Sequence, residues 1–128
     1  MADTDNVTTG YADVNGARLY YEVAGEGHPL VFLHAGIANL HMWDDQFRAF
    51  SDRYRVVRYD HRGFGQSSAP TGPAAIADDV YGMLKFLHID NAYVVGCSMG
   101  GGARFHAGAS RDGGWPRAGR RGRLWRAL

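Results

Sequence analysis

The 128-residue chain has room for one domain with its own core, since a usual domain runs to about 150 residues. Its formal net charge of +1 hides two unlike parts: residues 1–103 carry seven Lys or Arg against twelve Asp or Glu, a net −5, and residues 104–128 carry seven Arg against one acid, a net +6. A single cysteine, Cys97, excludes an intramolecular disulfide, and no segment approaches the roughly 20 apolar residues of a membrane span.

The opening stretch, MADTDNVTTG, has neither the basic region nor the apolar run of a secretion signal. With the lone cysteine this predicts a cytoplasmic protein. In YADVNGARLYYEVAG, apolar positions alternate on both sides of Asn15-Gly16, a dipeptide that tolerates the positive φ of a tight turn, so an antiparallel hairpin is predicted. The run Leu30 to Leu33 lacks polar alternation, as expected of a strand covered on both faces. From Asn39 to Asp52, Trp43, Phe47 and Phe50 recur at i, i+4, i+7 and predict an amphipathic helix. A second short apolar strand is predicted over Arg55 to Asp60 (RVVRYD). A second helical stripe, Ile76, Val80, Met83, Leu84 and Leu87, leads into a third buried strand at AYVVG.

Strand, helix, strand, helix, strand is the pattern of right-handed βαβ units, a parallel sheet with helices on both faces. In such sheets reactive groups gather beyond the carboxyl ends of the strands. The loops HAGIAN, DHRGFGQSS and GCSMGG each follow one of these strands and are predicted to share one edge. The six histidines (28, 34, 41, 61, 88, 106) show no metal-ligand spacing, and no metal site is predicted.

Gly96-Cys97-Ser98-Met99-Gly100 has the form G-x-S-x-G between a predicted strand and a predicted helix. A strand that reverses into a helix within so few residues crowds its own backbone, hence the small residues two before and two after the serine. The Ser98 hydroxyl is then presented out of the turn as a nucleophile. The following helix aims its free N–H groups at an anion forming there. Met99 is predicted to supply one oxyanion N–H, and Gly36 with Ile37, after the earlier strand, the second.

Three motifs in order, LVFLHAGIANLHMW, YDHRGFGQS and VVGCSMGG, resemble the oxyanion loop, the D-x-R-G-x-G-x-S turn and the nucleophile elbow of the α/β-hydrolase fold family. Its esterase, lactonase and aminopeptidase-like members are the nearest in kind. The resemblance covers roughly residues 14–103 and implies the first five of the family's eight strands: a partial α/β-hydrolase fold, a mostly parallel sheet with an N-terminal antiparallel hairpin. It implies a small-molecule ester, lactone or amide substrate, no cofactor and no membrane partner. One departure is Ala35, where the family usually has Gly after the histidine. The resemblance gives His34, Asp60, Arg62, Gly63 and Gly65 structural roles in loops and turns, with Asp60 beside Arg62 as a turn-stabilising pair. Cys97 reads as a small buried side chain. Met42, Trp43 and Phe64 read as core or surface cover, with pocket lining the alternative.

A serine hydroxyl needs a histidine base oriented by an acid, and in this family both follow the serine in chain order. Downstream of Ser98 stand only Asp112 and His106, neither at a family motif position, so the chain is expected to be truncated and inactive. Residues 104–128 contain no Val, Ile or Tyr, too little apolar surface to offset the entropy of ordering. They are expected to form a disordered Arg/Gly-rich tail after a hydrolase part spanning 1–103. A slip of reading frame near Ala103 accounts for both features. Back-translated with allowed codons and advanced one nucleotide, the tail can read DFTLEHPEMVGGRALVAVGASGGL, a helix ending at a proline and then an apolar strand. The alternative is a binding protein whose arginines, with Trp115 and Trp125, grip RNA or an acidic surface; the lack of a repeat in the tail counts against a nucleic-acid partner.

Overall fold

The computed structural model describes residues 6–68 and 76–97. A five-stranded sheet in the order β1-β2-β4-β3-β5 is built from β1 (Thr8–Val14), β2 (Ala17–Ala24), β3 (His28–Leu33), β4 (Tyr54–Tyr59) and β5 (Tyr93–Gly96). The helices are α1 (Asp44–Phe50) and α2 (Ile76–Phe86). The predicted hairpin is β1–β2, paired antiparallel from Val14↔Ala17 to Thr8↔Val23. Its turn residues Asn15 and Gly16 have φ of 48° and 83°, the left-handed region that Asn and Gly adopt with little strain.

β2 pairs antiparallel with β4, whereas β3 pairs parallel with both β4 and β5. The carboxyl ends of β3, β4 and β5 therefore lie along one edge, in the register Leu33↔Tyr59 and Leu33↔Gly96. As predicted, the loops that leave these strands start side by side.

The two faces are covered by different helices. Val31, Leu33, Val57, Tyr59 and Val94 point toward α2, which contributes Val80, Met83 and Leu84, with Ile76 and Leu87 packed against them. The predicted stripe of the second helix is thus its buried face. Leu30, Phe32 and Val56 point the other way, toward Phe47 of α1 and Trp43. The first helix departs from expectation. A 3-10 turn, Leu40–Trp43, precedes α1, so the i, i+4, i+7 stripe drawn from Trp43 runs across two kinds of helix. Phe47 is buried and Trp43 stacks on Phe32 with ring centroids 4.6 Å apart. Phe50, the last residue of α1, remains 41% exposed, its ring tilted against Phe32 and Tyr54.

Among the described residues no helix is long and apolar enough to cross a membrane. The expected tail, residues 104–128, lies outside the described residues.

Candidate active site

The loop after β3 is folded by its own backbone and by its neighbours. The Ala38 N–H donates to the Ala35 carbonyl at 3.0 Å, and the Ala35 N–H donates to Met42 Sδ at 3.2 Å. Asn39 caps the 3-10 turn by accepting from the His41 N–H at 2.8 Å, the usual service of Asn at a helix start. Gly36 is half-buried and the Ile37 side chain is fully exposed. Among the described residues no acceptor takes the Gly36 or Ile37 amide. Those are the two N–H groups that sequence assigned to the oxyanion.

The loop after β4 is organised by Asp60, which is 2% exposed. Its carboxylate accepts the Leu40 N–H at 2.8 Å and the Gln66 N–H at 2.9 Å. Its own N–H donates to the Tyr20 carbonyl, and its carbonyl accepts from the Ser67 hydroxyl. Two amide donors satisfy a buried carboxylate without a cation. A methyl added at Gly65, which has φ of 51°, would overlap this carboxylate, so the turn admits only glycine there. Arg62 reaches across to α2, donating to Asp79 at 2.8 Å and 2.9 Å. It also donates to the Asn15 carbonyl of the hairpin turn at 3.0 Å. These bonds to Asp79 hold the Arg62 guanidinium above its ordinary pKa.

His34 and His61 join the two loops. The His61 backbone N–H donates to His34 Nε2 at 2.9 Å, and His34 Nδ1 lies 2.6 Å from the Ala35 carbonyl. Since Nε2 is the acceptor, the proton sits on Nδ1 and donates to Ala35. In return His61 Nε2 donates to the His34 carbonyl at 3.0 Å. The rings are 4.3 Å apart and both are buried. Burial lowers the pKa of both, and for His61 the neighbouring His34 adds to the fall, to about 4. Phe64 closes the cluster with its edge against His34.

Behind the first loop, Arg58 anchors the 3-10 turn to the sheet. Its guanidinium donates to Glu22 at 2.7 Å and 3.0 Å, to the Leu40 carbonyl at 3.0 Å and to Asp44 at 2.7 Å. Tyr20 donates its hydroxyl to the other Glu22 oxygen. For Asp44 burial alone would raise the pKa, but hydrogen bonds from Arg58 and His41 outweigh it and the carboxyl sits below its ordinary range.

Sequence reasoning put Gly36 and Ile37 in the loop after β3 and gave His34 and Asp60 structural roles, which the hydrogen bonds bear out, but the expected Asp60–Arg62 pair does not form: Arg62 pairs with Asp79, and the Asp60 carboxylate takes two backbone amides instead. Met42 and Trp43 flank that loop, Met42 as an acceptor and Trp43 as packing. His61, Arg58 and Asp79 were missed as organisers. A signal for His61 existed: His34 and His61 each stand one residue past a predicted strand, Leu30 to Leu33 and Arg55 to Asp60, in a sheet predicted to be parallel. Ser98 and Met99 lie outside the described residues. Cys97 is the last described residue before them; it is half-buried, not buried as expected, and its N–H donates to the Leu33 carbonyl at 3.2 Å. Among the described residues no group of three or more His, Cys, Asp or Glu could hold a metal ion.

This order of strands and loops has close counterparts. A family model described as alpha/beta hydrolase fold matches residues 28–110. The soluble epoxide hydrolase of Corynebacterium sp. is 34% identical over 103 residues, covering 78% of this chain and 36% of that enzyme. The 3-oxoadipate enol-lactonase 2 of Acinetobacter baylyi is 44% identical over 75 residues, 56% of this chain and 28% of that enzyme. The crystal structure of the enol-lactonase from Burkholderia xenovorans superposes with a TM-score of 0.68 at 41% identity, covering 72% of this chain and 38% of that one. The chain spans about a third of the length of these relatives. On the family match and the shared fold, it belongs to the α/β-hydrolase fold family.

Proposed function

We propose that Ser98 is the nucleophile of a hydrolase site acting on the carbonyl of an ester, lactone or amide, with the amides of Gly36, Ile37 and Met99 receiving the oxyanion. The observation that carries this reading is the shared edge of β3, β4 and β5. Cys97, the residue before Ser98, is hydrogen-bonded to the strand that delivers Gly36, and the Gly36 and Ile37 amides have no other acceptor among the described residues. Amides left unpaired beside a nucleophile are what stabilisation of a tetrahedral oxyanion requires. Identities of 41% and 44% to two enol-lactonases favour a cyclic ester within this class. The substrate is then a small molecule, and the single cysteine fits a reducing, cytoplasmic compartment.

The reading extends to the tail. Residues 1–103 supply the nucleophile and oxyanion amides, whereas 104–128 supply neither acid nor histidine at a family position, so these 128 residues alone turn over no ester. Hydrolysis of a p-nitrophenyl ester and of a simple lactone tests this. The chain as given is expected to be inactive. A chain translated with a one-nucleotide advance after Ala103 is expected to be active and to lose at least about a thousandfold in rate on Ser98→Ala, the scale of losing a nucleophile. Turnover that survives Ser98→Ala overturns the nucleophile assignment, and a shifted translation without a hydrolase-like continuation overturns the frame assignment.

A further inference from the structure

The pair His34–His61 is built so that His34 cannot take up a proton without breaking a contact between the two loops, while a proton on His61 would put a charge in the buried space beside the His34 ring. His34 uses Nε2 to accept the His61 N–H and Nδ1 to donate to Ala35. A second proton on His34 would have to go to Nε2, the atom that already accepts, turning an N–H···N bond into two donors facing each other. The rings are 4.3 Å apart and 0% and 3% exposed, so a charge on either would be poorly solvated and would face its neighbour. We infer that this pair is a proton-sensitive joint, closed while both imidazoles are neutral, and that acidification releases the loop carrying Gly36 and Ile37 from the loop carrying His61 and Asp60.

The charged and titratable groups around the joint do not rescue the protonated form. From β4 and its loop come the Tyr59 ring, 5.8 Å from His61, and Asp60, whose carboxylate already accepts from Leu40 and Gln66. From α2 comes Asp79, already paired with Arg62. Just after β5 stands Cys97, tied through its N–H to the Leu33 carbonyl. Asp60 favours a proton on both rings and Asp79 on His61, yet burial wins and the pKa values are lowered.

The sign follows from that lowering. A histidine held below its ordinary value stabilises the closed joint fully above about pH 6.5, and the stabilisation fades as pH falls toward the folded value. With an ordinary value of 6.5 and a joined value of about 4 for His61, the closed joint is about twentyfold less favoured at pH 5 than at pH 7.

The test is amide hydrogen exchange of the 128-residue chain at pH 7 and pH 5, corrected for the intrinsic rate, read at the His61 N–H that the His34 ring accepts. Protection is expected to fall about twentyfold. In His61→Gln, whose side-chain amide can still donate to the His34 carbonyl but cannot titrate, the fall is expected to be smaller. Unchanged protection in the parent chain, or an equal fall in His61→Gln, overturns the inference. Should the variant not fold, ring NMR titration of the parent chain decides. His61 titrating well below 6.5, together with loss of the amide signal's protection, supports the joint; titration near 6.5 with the amide still protected overturns it. None of these outcomes depends on Ser98 being a nucleophile.

Discussion

On the α2 side of the sheet, Leu19, Val31, Leu33, Val57 and Val94 meet Val80, Met83 and Leu84, all 2% exposed or less. Asp79, the buried charge of α2, lies at the hairpin turn, where Arg62 and Asn15 satisfy it. On the α1 side, Glu22 and Arg58 stand among Leu30, Phe32, Val56 and Phe47. There Arg58 lies over the Phe47 ring at 4.2 Å and bonds to two carboxylates and a carbonyl. One face holds by volume, the other by volume together with the Glu22–Arg58–Asp44 pairing, although the buried Trp43 Nε1–H on that side has no hydrogen-bond partner among the described residues. The difference has a topological origin. The α1 face carries the start of the 3-10 turn and, beyond it, the loop proposed for the oxyanion, so polar groups there fix a loop as well as fill a core.

The largest expected effect breaks the pairing. Arg58→Ala leaves Glu22 buried without its cation and is expected to cost about 3–5 kcal/mol. Replacing both partners with methionine, Glu22→Met with Arg58→Met, is expected to recover most of that loss, since a buried pair is often no better than an apolar one. Urea unfolding of the parent and the two variants, compared by midpoint at constant m, measures both. A single variant as mild as the double would mean that Glu22 finds water or another partner when Arg58 is gone.

On the other face the corresponding change is Leu84→Ala, expected to cost about 2–5 kcal/mol through lost transfer energy and a residual cavity. No double replacement should repair it short of refilling the volume. A compensating larger residue at a neighbouring position is the measurement that separates the two faces: it should restore the α2 face and leave Arg58→Ala untouched. Next in size is Phe50→Ala on the α1 side. Its ring is 41% exposed and its ring contacts with Phe32 and Tyr54 are tilted, with centroids 6.1 Å and 6.0 Å apart, so about 1 kcal/mol is expected, far below the roughly 3–5 kcal/mol of a buried Phe. A loss of that larger size would show that Phe50 closes the face more than its exposure implies.

The α2 face was the more legible from sequence, and the reason is physical. An apolar face writes itself as periodicity: the stripe from Ile76 to Leu87 and the alternation around Asn15-Gly16 each follow from the geometry of one element. Pairing across elements leaves no such trace. Nothing local marks Arg58 as the partner of Glu22, 36 residues away, or Arg62 as the partner of Asp79 on a helix. The 3-10 turn was equally hidden, because Asp60 anchors its first residue from another loop by accepting the Leu40 N–H. At the site the motif spacings named Gly36, Ile37 and the loop of Asp60. They could not show that two histidines join those loops, which depends on the register Leu33↔Tyr59.

The smallest expected effect has the opposite sign and lies in the face that volume holds. The Tyr59 hydroxyl is buried with no hydrogen-bond partner among the described residues, and burial pushes its pKa well above the ordinary value. An unpaired buried hydroxyl costs about 1–3 kcal/mol by mutational measures. Tyr59→Phe removes it and keeps the ring that meets the edge of His61. The variant is therefore expected to be as stable as the parent or up to about 1 kcal/mol more stable, the small cavity left by the oxygen offsetting part of the gain. A loss of 1 kcal/mol or more in the same urea assay would mean that the hydroxyl has a partner, and that this face too depends on a polar contact.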